Sequence, residues 1–233
     1  MPLAHPLGWG DHYFMPMPTL QDTVAQAAEF SRYLRGRLAA RPELQNWLEA
    51  TLDRPFSRTE MADWLAGQAI TDEAGLKRCL RDLRQQVMAR TIVRDLSNRA
   101  DLAEVTATWS TLAEVCIAAA LDFHHALLSD RHGQPRDENG QPQQMVVVAM
   151  GKLGGGELNV SSDIDLIYLY PDEGDTADDD SATAIRPLSN HEFFIRLGRK
   201  LTAALGEATA DGYVFRVDLR LRPWGESGPF AMG

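Results

Sequence analysis

The chain has 233 residues, of which 44% are hydrophobic and 24% are charged, and its formal net charge is −10 at pH 7. This composition is typical of a globular protein of one or two domains with a substantial core. The acidic excess is present on both sides of residue 140. It argues against a broad nucleic-acid-binding surface but does not exclude a small local phosphate site.

The chain carries two cysteines, Cys79 and Cys116, without CxxC or Cys/His ligand spacing. We therefore predict buried thiols in a reducing compartment rather than a disulfide or a zinc site. Residues 1–18 lack a basic region followed by an unbroken apolar stretch, and no later run approaches the roughly 18 apolar residues of a membrane span. We expect a cytoplasmic protein without a membrane partner.

Successive helices are predicted from about residue 20 to residue 130, because leucines and alanines recur there at three- and four-residue intervals. Ser57 and Glu60 match a capping box that opens a helix through Ile70, and Asp101 opens another that runs to about Ser129. A long helix between them has a buried side formed by Leu76, Leu80, Leu83, Val87 and Val93. We predict that its arginines form a solvated face rather than a phosphate patch: Arg78, Arg81, Arg84 and Arg90.

The pattern changes at the polar stretch 130–144, which reads as a loop or a domain boundary. We therefore divide the chain into a helical region, 1–140, and a second domain, 141–233. The second domain is predicted to contain a buried strand at 145–150, a strand at 163–170, a helix from about Asn190 to Glu207 and a third strand from Tyr213.

Residues 151–165, GKLGGGELNVSSDID, place a glycine-rich turn ahead of Asp163 and Asp165. Glycines let a backbone approach phosphate oxygens closely, and paired carboxylates can hold a divalent metal against them. Strand alternation puts both aspartates on one face, at the beginning of an otherwise buried strand. Phosphoryl or nucleotidyl transfer is the chemistry that this combination indicates.

The third predicted strand has a polar face with four alternating residues: Arg216, Asp218, Arg220 and Arg222. If the strands are neighbours, Asp218 joins the two earlier aspartates around Mg²⁺, and the arginines neutralise phosphate. An internal salt-bridge network is the alternative for the same residues. The GxxxxGK[ST] and GxGxxG patterns are both absent, which excludes a P-loop and makes a dinucleotide fold a poor fit.

Other polar and aromatic residues receive structural interpretations. We interpret His124, His125 and His191 as surface or packing residues, and the acidic run 171–180 as a solvated hairpin or insertion rather than a calcium loop. Three tryptophans at helical positions are interpreted as core or packing residues: Trp47, Trp64 and Trp109. For Trp224 two interpretations stay open, stacking near an adenine or closing the core.

Two blocks, MGKLGGGELNVSSDIDLIYLY at 150–170 and RVDLRLRPWGESGP at 216–229, resemble the signature blocks of one enzyme family. This is the bifunctional glutamine synthetase adenylyltransferase/adenylyl-removing family, within the DNA polymerase β-like nucleotidyltransferase superfamily. The segments 84–96 and 112–123 are similar to its leading helical part. The resemblance implies an α+β fold, in which a helical N-terminal region precedes a nucleotidyltransferase domain with a mixed β-sheet. Because family members are several times longer, we expect the catalytic domain to be truncated.

The family carries two catalytic domains. The later one usually reads GGxELxxxSDLDL, so four residues favour the N-terminal, adenylyl-removing domain: Asn159, Ser161, Ser162 and Ile164. That domain's reaction is phosphorolysis, in which phosphate attacks the AMP group on a tyrosine of adenylylated glutamine synthetase and releases ADP. The alternatives are adenylyl transfer from ATP, and a non-catalytic fragment that binds glutamine synthetase.

The resemblance also implies roles for individual residues. It assigns catalysis and Mg²⁺ binding to Asp163, Asp165 and Asp218. It assigns phosphate binding or charge balance to Gly154, Gly155, Ser162, Lys152, Arg220 and Arg222. Regulation by a PII signalling protein is implied in the same way.

Overall fold

The computed structural model describes residues 19–177, 186–210 and 212–233. Most of this chain is helical before residue 133. The first six helices are α1 (Leu20–Phe30), α2 (Arg32–Ala40), α3 (Glu43–Thr51), α4 (Arg58–Ala66), α5 (Glu73–Leu96) and α6 (Leu102–His132).

The predicted helix starts are confirmed by their caps. The side chain of Ser57 accepts a hydrogen bond from the backbone N–H of Glu60, and the side chain of Asp101 accepts one from Glu104. Such caps satisfy N–H groups that have no partner inside the helix. α4 ends at Ala66, four residues before the predicted end, whereas α6 continues to His132.

The remaining elements follow the polar stretch after α6. They are β1 (Gln134–Pro135), β2 (Val146–Met150), α7 (Gly151–Gly154), β3 (Ile164–Leu169), β4 (Thr176–Ala177), α8 (Asn190–Gly206), β5 (Val217–Asp218) and a short 3₁₀-helix (Gly225–Ser227). The acidic run 171–180 lies only partly within the described residues, and its described end contains β4, which pairs with β1.

A three-stranded sheet has the order β2-β3-β5. β2 pairs with β3 antiparallel, and β3 pairs with β5 parallel. The sheet is therefore mixed, which confirms the α+β prediction. β2 lies at the edge, and its side chains are half-buried or exposed, so the prediction that residues 145–150 form a buried strand is wrong for most of it.

The third strand was also predicted too long, because β5 contains only Val217 and Asp218. The side chain of Asp218 accepts a hydrogen bond from the backbone N–H of Arg220 at 2.8 Å. This local bond to a residue two positions ahead turns the chain and competes with a sheet ladder. Alternation therefore stops at Asp218, and the predicted strand face does not extend to Arg222.

One cluster of buried side chains contains residues of α4, α5, α6, β3 and α8. Its members lie on both sides of residue 140, and the division into two domains stays a prediction. Trp109 of α6 packs edge-to-face against Phe215, with ring centroids 6.2 Å apart. Trp47 and Trp64 pack against the cluster, as predicted. A smaller cluster joins α1, α2 and α3 to the second half of α5.

The prediction of a solvated arginine face on α5 is wrong for Arg81 and Arg90, which are buried, although Arg78 is exposed. The Arg90 guanidinium donates to the carbonyls of Arg54 and Pro55 and pairs with Glu60 at 3.1 Å. A buried arginine is tolerated when its N–H groups are satisfied in this way. Through these bonds Arg90 holds the loop at residues 54–55 against α5.

α6 corrects the expectation that no segment approaches a membrane span. By length and composition alone it could cross a membrane, with a mean hydropathy of 1.3, and 44% of that stretch is buried here. The same properties occur in core helices, and α6 contributes Trp109 and Cys116 to the core. Cys116 is a buried free thiol, as predicted, and Cys79 is half-buried and free.

His124 confirms its interpretation as a packing residue, because it is fully buried on α6. Neither ring nitrogen has a hydrogen-bond partner. Burial lowers the pKa of His124 to about 4; the Glu73 carboxylate opposes this effect, while Lys200 reinforces it. The neutral ring is therefore the form that the fold holds.

We predict that Arg90→Ala lowers the free energy of unfolding by about 3–5 kcal/mol, because it leaves Glu60 and two backbone carbonyls without their buried partner. Arg78→Ala, on the same helix but exposed, should change it by no more than about 0.5 kcal/mol. Urea denaturation of the two variants measures the difference. Equal losses would show that burial of Arg90 contributes nothing specific.

We also predict that stability falls as the pH falls from 6.5 to 4. In that window the unfolded chain protonates His124, whereas the folded chain, with its pKa lowered to about 4, does not. The loss reaches about 3 kcal/mol at the acidic end. His124→Phe should reduce the dependence in denaturation curves measured at a series of pH values, and an unchanged slope would contradict this assignment.

Candidate active site

Asp165 and Asp218 lie side by side at one end of the mixed sheet. They are register partners on the parallel strands β3 and β5, so their side chains project to the same face. Burial alternates along β3: Ile164 is fully buried and Asp165 is half-buried. The strand adjacency that the prediction for Asp218 assumed is therefore confirmed.

The two carboxylates have different electrostatic environments. Burial raises the pKa of Asp165, and the negative charges of Asp218 and Asp163 raise it further. The pKa of Asp218 is lowered, chiefly by the hydrogen bond from the Arg220 side chain. Asp163 is exposed just before β3. Of the two paired carboxylates, Asp165 thus has the less compensated charge.

Arg220 reaches Asp218 from the turn and not from a strand. Its Nε lies 3.0 Å from Oδ1 and 2.8 Å from Oδ2 of Asp218. The arginine side chain is 73% exposed, whereas that of Asp218 is 12% exposed. The salt-bridge alternative left open by the sequence therefore holds for this pair, while the guanidinium stays accessible from outside.

Gly151 makes room for Asp165, and sequence reasoning did not assign it a site role. Its φ is +56°, and a Cβ on it would lie 2.6 Å from Oδ2 of Asp165. Only glycine adopts this backbone without cost and without occupying the space. A glycine directly after a strand is the available signal, since such positions mark close approach.

Gly154 and Gly155 form a tight turn with its own internal contacts. A Cβ on Gly154 would lie 2.6 Å from the carbonyl oxygen of Ala149, so its missing side chain serves packing against β2. The N–H groups of residues 155, 156 and 157 donate to carbonyls of the same turn. The phosphate contact expected of Gly154 and Gly155 stays a prediction.

Lys152 and Ser162 come together beside the glycine turn, with Nζ of the lysine 3.4 Å from Oγ of the serine. Arg222 takes a different position from the one predicted. Its guanidinium donates to the carbonyls of Leu219 and Gly228 and lies over the Phe230 ring. Since β5 ends at Asp218, Arg222 lies in the following loop, and its described contacts join residues of that loop to one another.

Trp224 does not close the core, because it is 72% exposed. The interpretation that Trp224 closes the core is therefore wrong, and stacking near an adenine stays a prediction. His191 Nδ1 lies 3.1 Å from the Tyr170 hydroxyl, consistent with packing.

The donor set fits a hard divalent cation. Asp165 and Asp218 offer only oxygen ligands, and repulsion between neighbouring carboxylates favours a cation between them. In the ranges that the structure describes, no group of three or more His, Cys, Asp or Glu side chains is arranged to hold a metal. Mg²⁺ is commonly bound through one or two carboxylates together with substrate phosphates, so the Mg²⁺ site at Asp165, Asp218 and Asp163 stays a prediction.

A family model, glutamate-ammonia ligase adenylyltransferase, matches residues 21–233. The chain belongs to this family. Similar curated relatives are named bifunctional glutamine synthetase adenylyltransferase/adenylyl-removing enzyme. Those of Nitrosomonas europaea and Chromobacterium violaceum are each 51% identical over 90% of this chain, and that of Bordetella pertussis is 45% identical over 89%.

This member of the glutamate-ammonia ligase adenylyltransferase family spans about a fifth of its relatives' length, with 22% coverage of the Nitrosomonas europaea protein and 23% of the Chromobacterium violaceum protein. The membership confirms the resemblance seen in the two signature blocks. The carboxylate pair therefore lies in a segment shared with this family.

We predict that Gly151→Ala weakens Mg²⁺ binding by about 10- to 100-fold, because the new Cβ displaces the Asp165 carboxylate. Gly156→Ala is the matched control, since its φ is +71° but nothing lies within 4 Å of its Cβ position. Both variants should lose a similar stability, about 1–2 kcal/mol. Calorimetric titration with Mg²⁺ compares them, and equal affinities would contradict the role given to Gly151.

Proposed function

We propose that this chain is the adenylyl-removing segment of its family, an Mg²⁺-dependent nucleotidyltransferase unit that removes AMP by phosphorolysis from an adenylylated tyrosine of glutamine synthetase. The products are ADP and unmodified glutamine synthetase, in the regulation of nitrogen assimilation. The observation that carries the proposal is the register pairing of Asp165 with Asp218, with Gly151 leaving space for the first carboxylate.

The reaction exchanges one phosphorus–oxygen bond for another. An oxygen of inorganic phosphate attacks the phosphorus of the AMP group, and the bond from that phosphorus to the tyrosine oxygen breaks. The proton lost by the attacking phosphate is taken up by the leaving phenolate. Because the protein contributes little covalent chemistry to such an in-line displacement, positioning and electrostatics supply the catalysis.

Asp165 and Asp218 would hold Mg²⁺, which when bound supplies positive charge to the phosphate oxygens. Asp163, two residues before Asp165, would add a further carboxylate to the same face. The exposed guanidinium of Arg220 would balance charge on the phosphates, while its backbone bond keeps Asp218 oriented.

Lys152 and Ser162 would contact phosphate together, because they already lie within 3.4 Å of one another. The direction of the reaction, removal rather than transfer, rests on the signature residues from Asn159 to Ile164. We extend the proposal to a cytoplasmic location, as expected from the sequence, and, on the family resemblance alone, to regulation by a PII signalling protein.

We predict that Asp165→Asn lowers ADP formation from adenylylated glutamine synthetase, phosphate and Mg²⁺ by about 100-fold or more, because it removes a charged ligand at the reacting phosphates. The fold should persist, since the substitution keeps the side chain's size. Asp122→Asn, at an exposed carboxylate of α6, is the control and should leave the rate unchanged.

Parallel reactions with ATP and unmodified glutamine synthetase distinguish the alternatives. ADP formation in the first assay with no AMP incorporation in the second supports the removing segment. Incorporation of AMP that depends on Asp165 would instead assign transfer. A folded wild-type chain inactive in both assays would contradict a catalytic function for this segment and favour a fragment that only binds glutamine synthetase.

A further inference from the structure

The loop 219–228, directly after Asp218, is held closed by its own backbone. The N–H of Arg222 donates to the carbonyl of Leu219, that of Gly225 to Arg222, and that of Gly228 to Gly225. A Cβ on Gly228 would lie 2.1 Å from the carbonyl oxygen of Pro223, which shows how tightly the two sides of the loop approach. The loop is therefore closed by three hydrogen bonds of its own backbone.

Three side chains of this loop depart from the usual distribution of polar and apolar groups. Arg222 turns inward to backbone carbonyls, whereas Leu221 is 53% exposed and Trp224 is 72% exposed. Trp224 also has a left-handed backbone, with φ of +59°. Such a conformation is a marked outlier for a bulky residue and persists only where the surroundings impose it.

Trp224 belongs to the same short loop as Arg220, whose side chain pairs with Asp218. The position of a Cβ on the neighbouring Gly225 is 3.8 Å from the carbonyl oxygen of Arg220, the residue that binds Asp218. The loop thus folds back so that the backbone beside Trp224 lies close to that of Arg220. A nucleotide matches these two groups, because its planar base can stack on an aromatic ring while its phosphates lie toward a cation.

The size of the apolar surface distinguishes a nucleotide from a protein partner. A stable protein interface buries about 800 Å² on each side, whereas one tryptophan ring supplies about 250 Å² at most. Among the described residues of this loop only Leu221 and Trp224 are exposed large hydrophobic side chains. The Trp224 ring by itself matches the size of one aromatic base.

We propose that Trp224 is an adenine-binding residue, on whose indole the base of the nucleotide stacks while its phosphates lie toward Arg220 and the carboxylate pair. This inference rests on the proposed function, since it identifies the subsite for the adenylyl group of the same reaction. Stacking on an aromatic ring is strong enough to govern affinity for a base.

Binding of ADP in the presence of Mg²⁺, measured by calorimetry on the whole chain, tests the proposal without requiring catalysis. Trp224→Ala should bind ADP about 5- to 100-fold more weakly, and Trp224→Phe should retain most of the affinity because a ring remains. Leu221→Ala, at the other exposed apolar residue of the loop, is the matched control and should bind as wild type does. Inorganic pyrophosphate, which has no base, should bind all of these proteins equally.

A second readout follows from the exposure of the indole. ADP should change the tryptophan fluorescence of the wild-type chain, and the change should vanish in Trp224→Phe. Unchanged ADP affinity in Trp224→Ala, or equal weakening of pyrophosphate binding, would overturn the adenine subsite while leaving the phosphorolytic proposal standing. A wild-type chain that binds neither ADP nor pyrophosphate would overturn both. Loss of binding to glutamine synthetase with unchanged ADP affinity would assign Trp224 to a protein contact instead.

Discussion

The candidate site depends on a two-residue parallel pairing, Ile164 with Val217 and Asp165 with Asp218. So short a ladder would not fix two like charges side by side by itself. Contacts on the core side of the ladder fix its position. Ile164 is fully buried, and its N–H donates to the carbonyl of Arg216. Phe215, the residue before Arg216, packs edge-to-face on Trp109 of α6. Hydrophobic packing therefore supplies the free energy that holds the carboxylates together against their repulsion.

The helical region takes part in this positioning. Arg81 of α5 donates to the carbonyls of Glu207 and Gly212, which flank the connection from α8 to the strand that carries Asp218. Lys77 of α5 pairs with Glu207, and Lys200 of α8 pairs with Glu73. Exposed pairs of this kind contribute little singly, so the buried arginine is the main polar tie.

Sequence patterns predicted the parts of the fold that local chemistry determines. The caps at Ser57 and Asp101 and the alternation from Ile164 onward depend on neighbours along the chain, and all appear as expected. The errors came from contacts that a periodic pattern does not encode. The Asp218 side chain captured the N–H of Arg220 and ended a strand that alternation would have continued. The arginines of α5 found carbonyl partners in distant loops, so charge did not imply exposure. Gly151 was missed because its importance lies in the space that it leaves for Asp165.

Departures from local preference are concentrated around the candidate site. Outside glycine, the described residues with positive φ are Asn98 and Trp224. Asn98 follows the end of α5, where asparagine commonly adopts the left-handed conformation, so it is an ordinary helix terminus. Trp224 has no such explanation. It lies six residues after Asp218, whose register partner Asp165 lies against Gly151, a glycine with φ of +56°. Natural sequences tolerate such costs chiefly where function requires them. Their coincidence with the two signature blocks gives the site a physical basis that is separate from the family match.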